Sequence, residues 1–129
     1  MIERISPPGG PAPRGPYSPA VRAGDFIFVS GQVPIDPATQ QLVTGDVRDE
    51  TRQTLTNIMR ILEGCGAALS DVVKCQVFLA DGKDFAAMNE VYARYFAPEG
   101  VVPPARSTVE VARLPKDALV EIEVIATQP

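Results

Sequence analysis

The residue types that can do chemistry gather near the end of the chain. Arg106 follows "VVPPA", and Glu121 and Glu123 alternate with aliphatic residues in "LVEIEVIA". Two prolines just upstream make the backbone at Arg106 extended and its position well defined. A guanidinium fork at a strand start can hold a small carboxylate through two parallel N–H donors. A nearby glutamate can then move a proton or position a water. That pair suits hydrolysis of a small anion without a cofactor. Strand alternation places Val120, Ile122, Val124 and Ala126 on one face, and Leu119, Glu121, Glu123 and Ile125 on the other. The same residues also fit two solvated strand carboxylates and a surface arginine paired with one of them across the strands.

Weaker signals lie upstream. "VSGQV" puts Ser30 and Gly31 at a strand end, where a glycine lets backbone N–H groups approach a ligand. The chain has no histidine. That removes His-based triads, His metal sites and a histidine base, and leaves Ser30 and Ser107 poor nucleophiles. Tyr17 and Asn89 read as hydrogen-bonding groups with no assigned partner. Cys65 and Cys75 form neither a C-x-x-C pair nor a zinc pattern, so no metal site is expected and both read as buried thiols of a reducing compartment. No glycine-rich phosphate loop, EF-hand or aromatic-basic RNA-reading strand is present.

The elements that must position these residues follow from the period of the apolar pattern. The 129 residues suit one domain spanning 1–129, and 45% hydrophobic content with 22% charge reads as globular. A net charge of −4 disfavours a nucleic-acid binder or an anionic-membrane binder. No basic segment leads into an apolar run at the N-terminus, and no run approaches membrane-spanning length, so the cytoplasm is the expected compartment. Six prolines in the first 20 residues exclude a helix or a central strand there, and Tyr17 in "RGPYSPAV" suggests a rigid loop held by the body.

"DFIFVSGQV" predicts a strand with Phe26, Phe28 and Ser30 on one face and Ile27, Val29 and Gly31 on the other. Val47, Thr51, Leu55, Ile58 and Leu62 predict a helix capped by Asp46 and stopped at Gly64 or Gly66. "DVVKCQVFLA" predicts a strand with Val73, Cys75, Val77 and Leu79 on one face. A second helix follows Asp84, with Phe85, Met88, Val91 or Tyr92, and Tyr95 as its apolar stripe. "RSTVEV" and "LVEIEVIA" then read as two strands joined by a turn. Two helices can cover only one face of such a sheet, which gives an α+β sandwich. The other face must meet water or another subunit.

The stretches "GPYSPAV", "VSGQVPIDP", "NEVYARYF" and "PPARSTVEVARLPKDALVEIEVIA" together resemble the RidA family of enamine and imine deaminases, also known as the YjgF-like or endoribonuclease L-PSP family. The resemblance runs from about Ile2 to Ala126. It implies a chorismate-mutase-like fold and a homotrimer whose sheets surround a central barrel, with active sites between adjacent subunits. It implies hydrolysis of 2-imino acids such as 2-iminopropanoate and 2-iminobutanoate, or their enamine tautomers, to 2-oxo acids and ammonia. No cofactor or metal would be needed. The resemblance assigns the substrate carboxylate to Arg106 and the water to Glu121. It lines the pocket with Tyr17, Ser30, Gly31, Phe85 and Asn89, and puts Ser107 where many members have cysteine, leaving its backbone N–H for substrate. Two rival expectations are an endoribonuclease acting on mRNA and a non-enzymatic, chaperone-like trimer that binds a small metabolite.

Overall fold

A computed structural model describes all residues, 1–129. Its frame is a six-stranded sheet in the order β1-β2-β3-β8-β6-β7. The strands are β1 (Ile2–Ile5), β2 (Ala20–Ala23), β3 (Phe26–Gln32), β6 (Val72–Leu79), β7 (Ala105–Glu110) and β8 (Val120–Thr127). A separate small hairpin pairs β4 (Ile35–Asp36) with β5 (Gln41–Leu42). Helices α1 (Val47–Gly64) and α2 (Phe85–Phe96) pack on one sheet face, as the α+β expectation requires.

The last strand is central. β8 pairs antiparallel with β3 on one side and with β6 on the other. This corrects the expected hairpin of the last two strands. β7 pairs with β6 instead, in parallel, with α2 as the crossover between them. β8 has a fully buried aliphatic row, Val120, Ile122, Val124 and Ala126. A strand with that row belongs in the middle of a sheet, whereas β7 is mostly exposed and lies at the edge.

The first helix begins as its sequence demands. The Asp46 side chain accepts the Arg48 and Asp49 N–H groups, and the Asp49 side chain accepts the Asp46 N–H, forming a capping box. Its end is a Schellman turn: Gly66 adopts φ +79°, and Ala67 N–H reaches back to the Leu62 carbonyl at 2.9 Å. Val47, Thr51, Leu55, Ile58 and Leu62 are all buried, which bears out the helical stripe. Each fully buried Leu or Ile here contributes about 1.5–3 kcal/mol of burial.

In the second helix the buried stripe is Met88, Val91, Tyr92 and Phe96, with Tyr95 partly buried. Phe85 is 42% exposed and does not belong to it. Val73 also departs from expectation. A register shift in β6 between Val72 and Lys74 turns Val73 outward and Val72 into the core.

The helix-free face carries Phe26 and Phe28, 44% and 43% exposed, with Ile125 opposite Phe28 and the exposed Val109 on β7. Apolar side chains in a row on an uncovered face form the kind of surface that another copy or a partner can cover. The proline-rich N-terminal segment is held down, as Tyr17 suggested. Ser30 donates its backbone N–H to the Pro19 carbonyl at 2.9 Å and its hydroxyl to the Ser18 carbonyl at 2.6 Å.

Candidate functional site

The sequence-predicted site residues fall into two groups on opposite faces of the sheet. The first surrounds Glu121. A pocket of about 490 Å³ opens there, lined by Arg14, Tyr17, Ser30, Gly31, Lys116, Glu121 and Glu123 among others. Gly31 stands at its heart. The regular alternation expected for β3 would turn Gly31 into the core with Val29. A bulge between Val29 and Gln32 adds one residue and turns it toward Glu121 instead. A Cβ at position 31 would lie 2.1 Å from Glu121 Oε2. Only glycine leaves that carboxylate its place.

Glu121 titrates above the usual carboxylate range. Burial is the main cause, and the like charge of Glu123 on the same face adds to it. No hydrogen bond offsets either effect. The hydroxyl of Ser30 is engaged with Ser18, so its part in the pocket is to hold the Tyr17–Pro19 segment in place. Asn57, buried in α1, donates to the Ile35 carbonyl at 2.8 Å and so fixes another part of the wall. Lys116 at the rim is held at φ 55°, ψ 26°, and Asp117 follows at φ 57°.

The second group surrounds Arg106 on the helix side. Arg106 is the register partner of Cys75, whose side chain is fully buried against the helices. Its Nη1 donates to Asn89 Oδ1 at 2.6 Å. The guanidinium carbon lies 4.6 Å from the centre of the Tyr92 ring and 5.5 Å from that of Phe85. Both distances suit a cation over an aromatic face. No carboxylate of the chain pairs with Arg106, so most of its donors are unclaimed.

Phe85, Asn89 and Tyr92 are spaced by four and three residues, one stripe of α2 turned toward β7. Sequence reasoning missed Tyr92 as part of this group, although its spacing from Asn89 carried the signal. Burial pushes the Cys75 thiol up to about 11, so beneath Arg106 it is a packing residue and not a nucleophile. Ser107 is exposed and has Gln76 as its register partner.

The sheet separates the two groups. β6 lies between β7 and β8, with Cys75 opposite Arg106 and Phe78 opposite Glu121; two strand spacings and three residues along the strand set Arg106 and Glu121 roughly 14 Å apart, pointing to opposite faces. The glutamate expected near Arg106 is therefore not near it within one chain. No three His, Cys, Asp or Glu side chains converge as metal ligands do.

This sheet with two helices on one face has close counterparts. Residues 9–128 match the family model described as Endoribonuclease L-PSP. The chain belongs to that family, the YjgF/RidA family. It is 56% identical over 126 residues to a RutC family protein of Pyrococcus horikoshii, covering 98% of both chains. It is 44% identical over 128 residues to the 2-iminobutanoate/2-iminopropanoate deaminase of Escherichia coli, covering 99% of both. Among solved structures, Escherichia coli TdcF with bound serine superposes with a TM-score of 0.92 at 40% identity, over 98% of this chain and 99% of that one. No helix is long and apolar enough to cross a membrane.

Proposed function

We propose that this protein hydrolyses small 2-imino acids, or their 2-enamine tautomers, to 2-oxo acids and ammonia at a site shared between two copies of the chain in a homotrimer. The observation that carries this reading is the separation of the two groups. Arg106 has free donors and no anion, and Glu121 has a charge and no donor, on opposite sheet faces. A neighbouring copy laid against the uncovered face would bring its Arg106 group to this chain's Glu121 pocket. The relative named 2-iminobutanoate/2-iminopropanoate deaminase and the relative solved with a bound amino acid support a small amino-acid-like ligand.

The chemistry follows from the groups. Arg106 grips the substrate carboxylate through its fork, steadied by Asn89 and the Tyr92 and Phe85 rings. The iminium carbon is already electrophilic, so orientation and proton transfer are what remain to be supplied. Glu121 orients a water and accepts its proton as the oxygen attacks that carbon, giving a carbinolamine. The same proton then passes to the nitrogen, the C–N bond breaks and ammonia leaves, while the carbinolamine hydroxyl gives its proton to Glu121 as the C=O forms; that second proton departs with the ammonia as ammonium. The backbone N–H of Ser107 and the Tyr17 ring complete the pocket.

Two assays test this. An amino-acid oxidase generates 2-iminobutanoate in place and semicarbazide traps what survives; the wild-type protein should suppress the semicarbazone signal and Arg106→Ala should not. Mixing Arg106→Ala and Glu121→Gln chains after co-refolding should restore about a quarter of wild-type activity, because each mixed trimer regains one intact site. Full semicarbazone signal with the wild type would end the deaminase reading. Failure of mixed trimers to recover would end the shared site.

A further inference from the structure

Glu50 is the one carboxylate of the chain that is buried yet has no place in the proposed chemistry. It lies in the first turn of α1, 7% exposed. Its Oε1 accepts the Leu119 N–H at 2.8 Å, and the Val120 N–H also faces it. Leu119 stands at a junction. Immediately before it runs the turn Pro115–Asp117, in which Lys116 and Asp117 are both left-handed at φ 55° and 57°. Such a conformation costs a non-glycine residue about 1–2 kcal/mol, and two in succession persist only where the surroundings fix them. Immediately after it β8 begins, and Glu121 is its second residue. Both Lys116 and Glu121 line the pocket.

We propose that Glu50 is a positioning residue: its carboxylate holds the backbone at Leu119 and so fixes both the strained turn that carries Lys116 and the strand start that carries Glu121. This rests on the reading of Glu121 as the water-activating group. The buried partners of the turn support the anchor. Leu114 is 6% exposed and Ala118 fully buried, so the turn is pinned before and after its strained pair and Glu50 supplies the polar end of the clamp.

The charged group facing Glu50 from the neighbouring helix is Asp84, at the start of α2. Burial chiefly, and Asp84 in addition, raise the pKa of Glu50 above the ordinary carboxylate range, against the pull of the two N–H donors. A protonated carboxyl is a weaker acceptor than a carboxylate, so the clamp loosens as pH falls through that raised value.

The test compares Glu50→Gln, which keeps an acceptor oxygen and cannot titrate, with Glu50→Leu, which keeps the volume and removes the acceptor. Two readouts are taken on the full chain: kcat and KM for 2-iminobutanoate across pH, and hydrogen exchange at the Leu119 amide. Glu50→Gln should keep kcat within about threefold, and Glu50→Leu should lose about tenfold or more in kcat with KM little changed, as misplacement of a reacting group does. The wild-type profile should show, besides the one-proton acid limb of Glu121, a step of no more than about threefold that Glu50→Gln lacks, because protonation leaves position 50 a neutral acceptor as glutamine does. Leu119 should stay protected in Glu50→Gln and exchange faster in Glu50→Leu. Wild-type kcat together with unchanged Leu119 protection in Glu50→Leu would overturn the assignment, as would equal damage from both substitutions. A wild-type protein that hydrolyses no imine would defeat the proposed function instead, and the exchange measurement would still decide whether Glu50 anchors the turn.

Discussion

The Arg106 group and the Glu121 group solve opposite problems with the same sheet. Around Arg106 the chain supplies an amide oxygen and two ring faces, all of which favour a cation and hold it still. Around Glu121 it supplies burial and a second carboxylate, both of which disfavour an anion, and it removes even a methyl group from the space beside it. One group is built for a charge that never changes. The other is built for a charge that comes and goes. The proposed roles, carboxylate binding at Arg106 and proton transfer at Glu121, call for this difference, and it is visible in the surroundings before any ligand is considered.

The largest expected effects come from deleting either group. Arg106→Ala and Glu121→Gln should each lower kcat/KM for 2-iminobutanoate by about a hundredfold or more, in steady-state assays of the purified variants. The contrast sharpens with Arg106→Lys, which keeps the charge and loses the fork. It should cost more than about tenfold, or ~1.4 kcal/mol, mainly in KM. Wild-type kinetics in the lysine variant would mean that a point charge suffices and the fork is idle.

Gly31→Ala tests the other group without touching its charge. The added methyl would meet Glu121 Oε2 at 2.1 Å and must push the carboxylate aside. A drop of about tenfold in kcat is expected, with binding of an unreactive 2-oxo acid unchanged by calorimetry. Equal loss of that binding would show that Gly31 serves the ligand and not the glutamate.

A pH series separates the groups again. The folded protein raises the pKa of Glu121, so the stability this residue contributes is present below the ordinary glutamate value of 4.5 and is lost as pH rises through the raised one. Glu121→Gln should therefore melt above the wild type at neutral pH, with the gap closing as the pH falls toward 4.5. Activity should move the other way, falling in acid as the base is protonated. The smallest effect belongs to Phe85→Leu, which removes the more distant ring from Arg106 and should raise KM by about two- to fivefold.

Much of this could be read from the residues. Leu55, Ile58 and Leu62 announced α1, Asp46 its cap, and the alternation of β8 put Glu121 on the helix-free face. The misreadings share a cause: pairing partners and bulges are set by tertiary packing and leave little trace in local pattern. β7 and β8 look like a hairpin because they are adjacent in sequence, yet the parallel return through α2 claims β7 for β6. The bulge at Ser30–Gly31 reverses the face of the residue that matters most, and nothing in "VSGQV" distinguishes it from an unbroken strand. Resemblance named Arg106 and Glu121 together; it took the sheet to place them on opposite faces. Glu50 passed unnoticed because an acidic residue in a first helical turn ordinarily faces solvent.

A sheet that displays half of its chemistry on each side has a consequence for the life of the molecule in a cell. With the proposed shared site, a newly made chain would be chemically silent, and activity would appear only when copies are numerous enough to meet. Output would then rise more steeply than expression at low copy number, and a copy lacking one of the two groups would silence one site of the trimer it joins and leave the others intact.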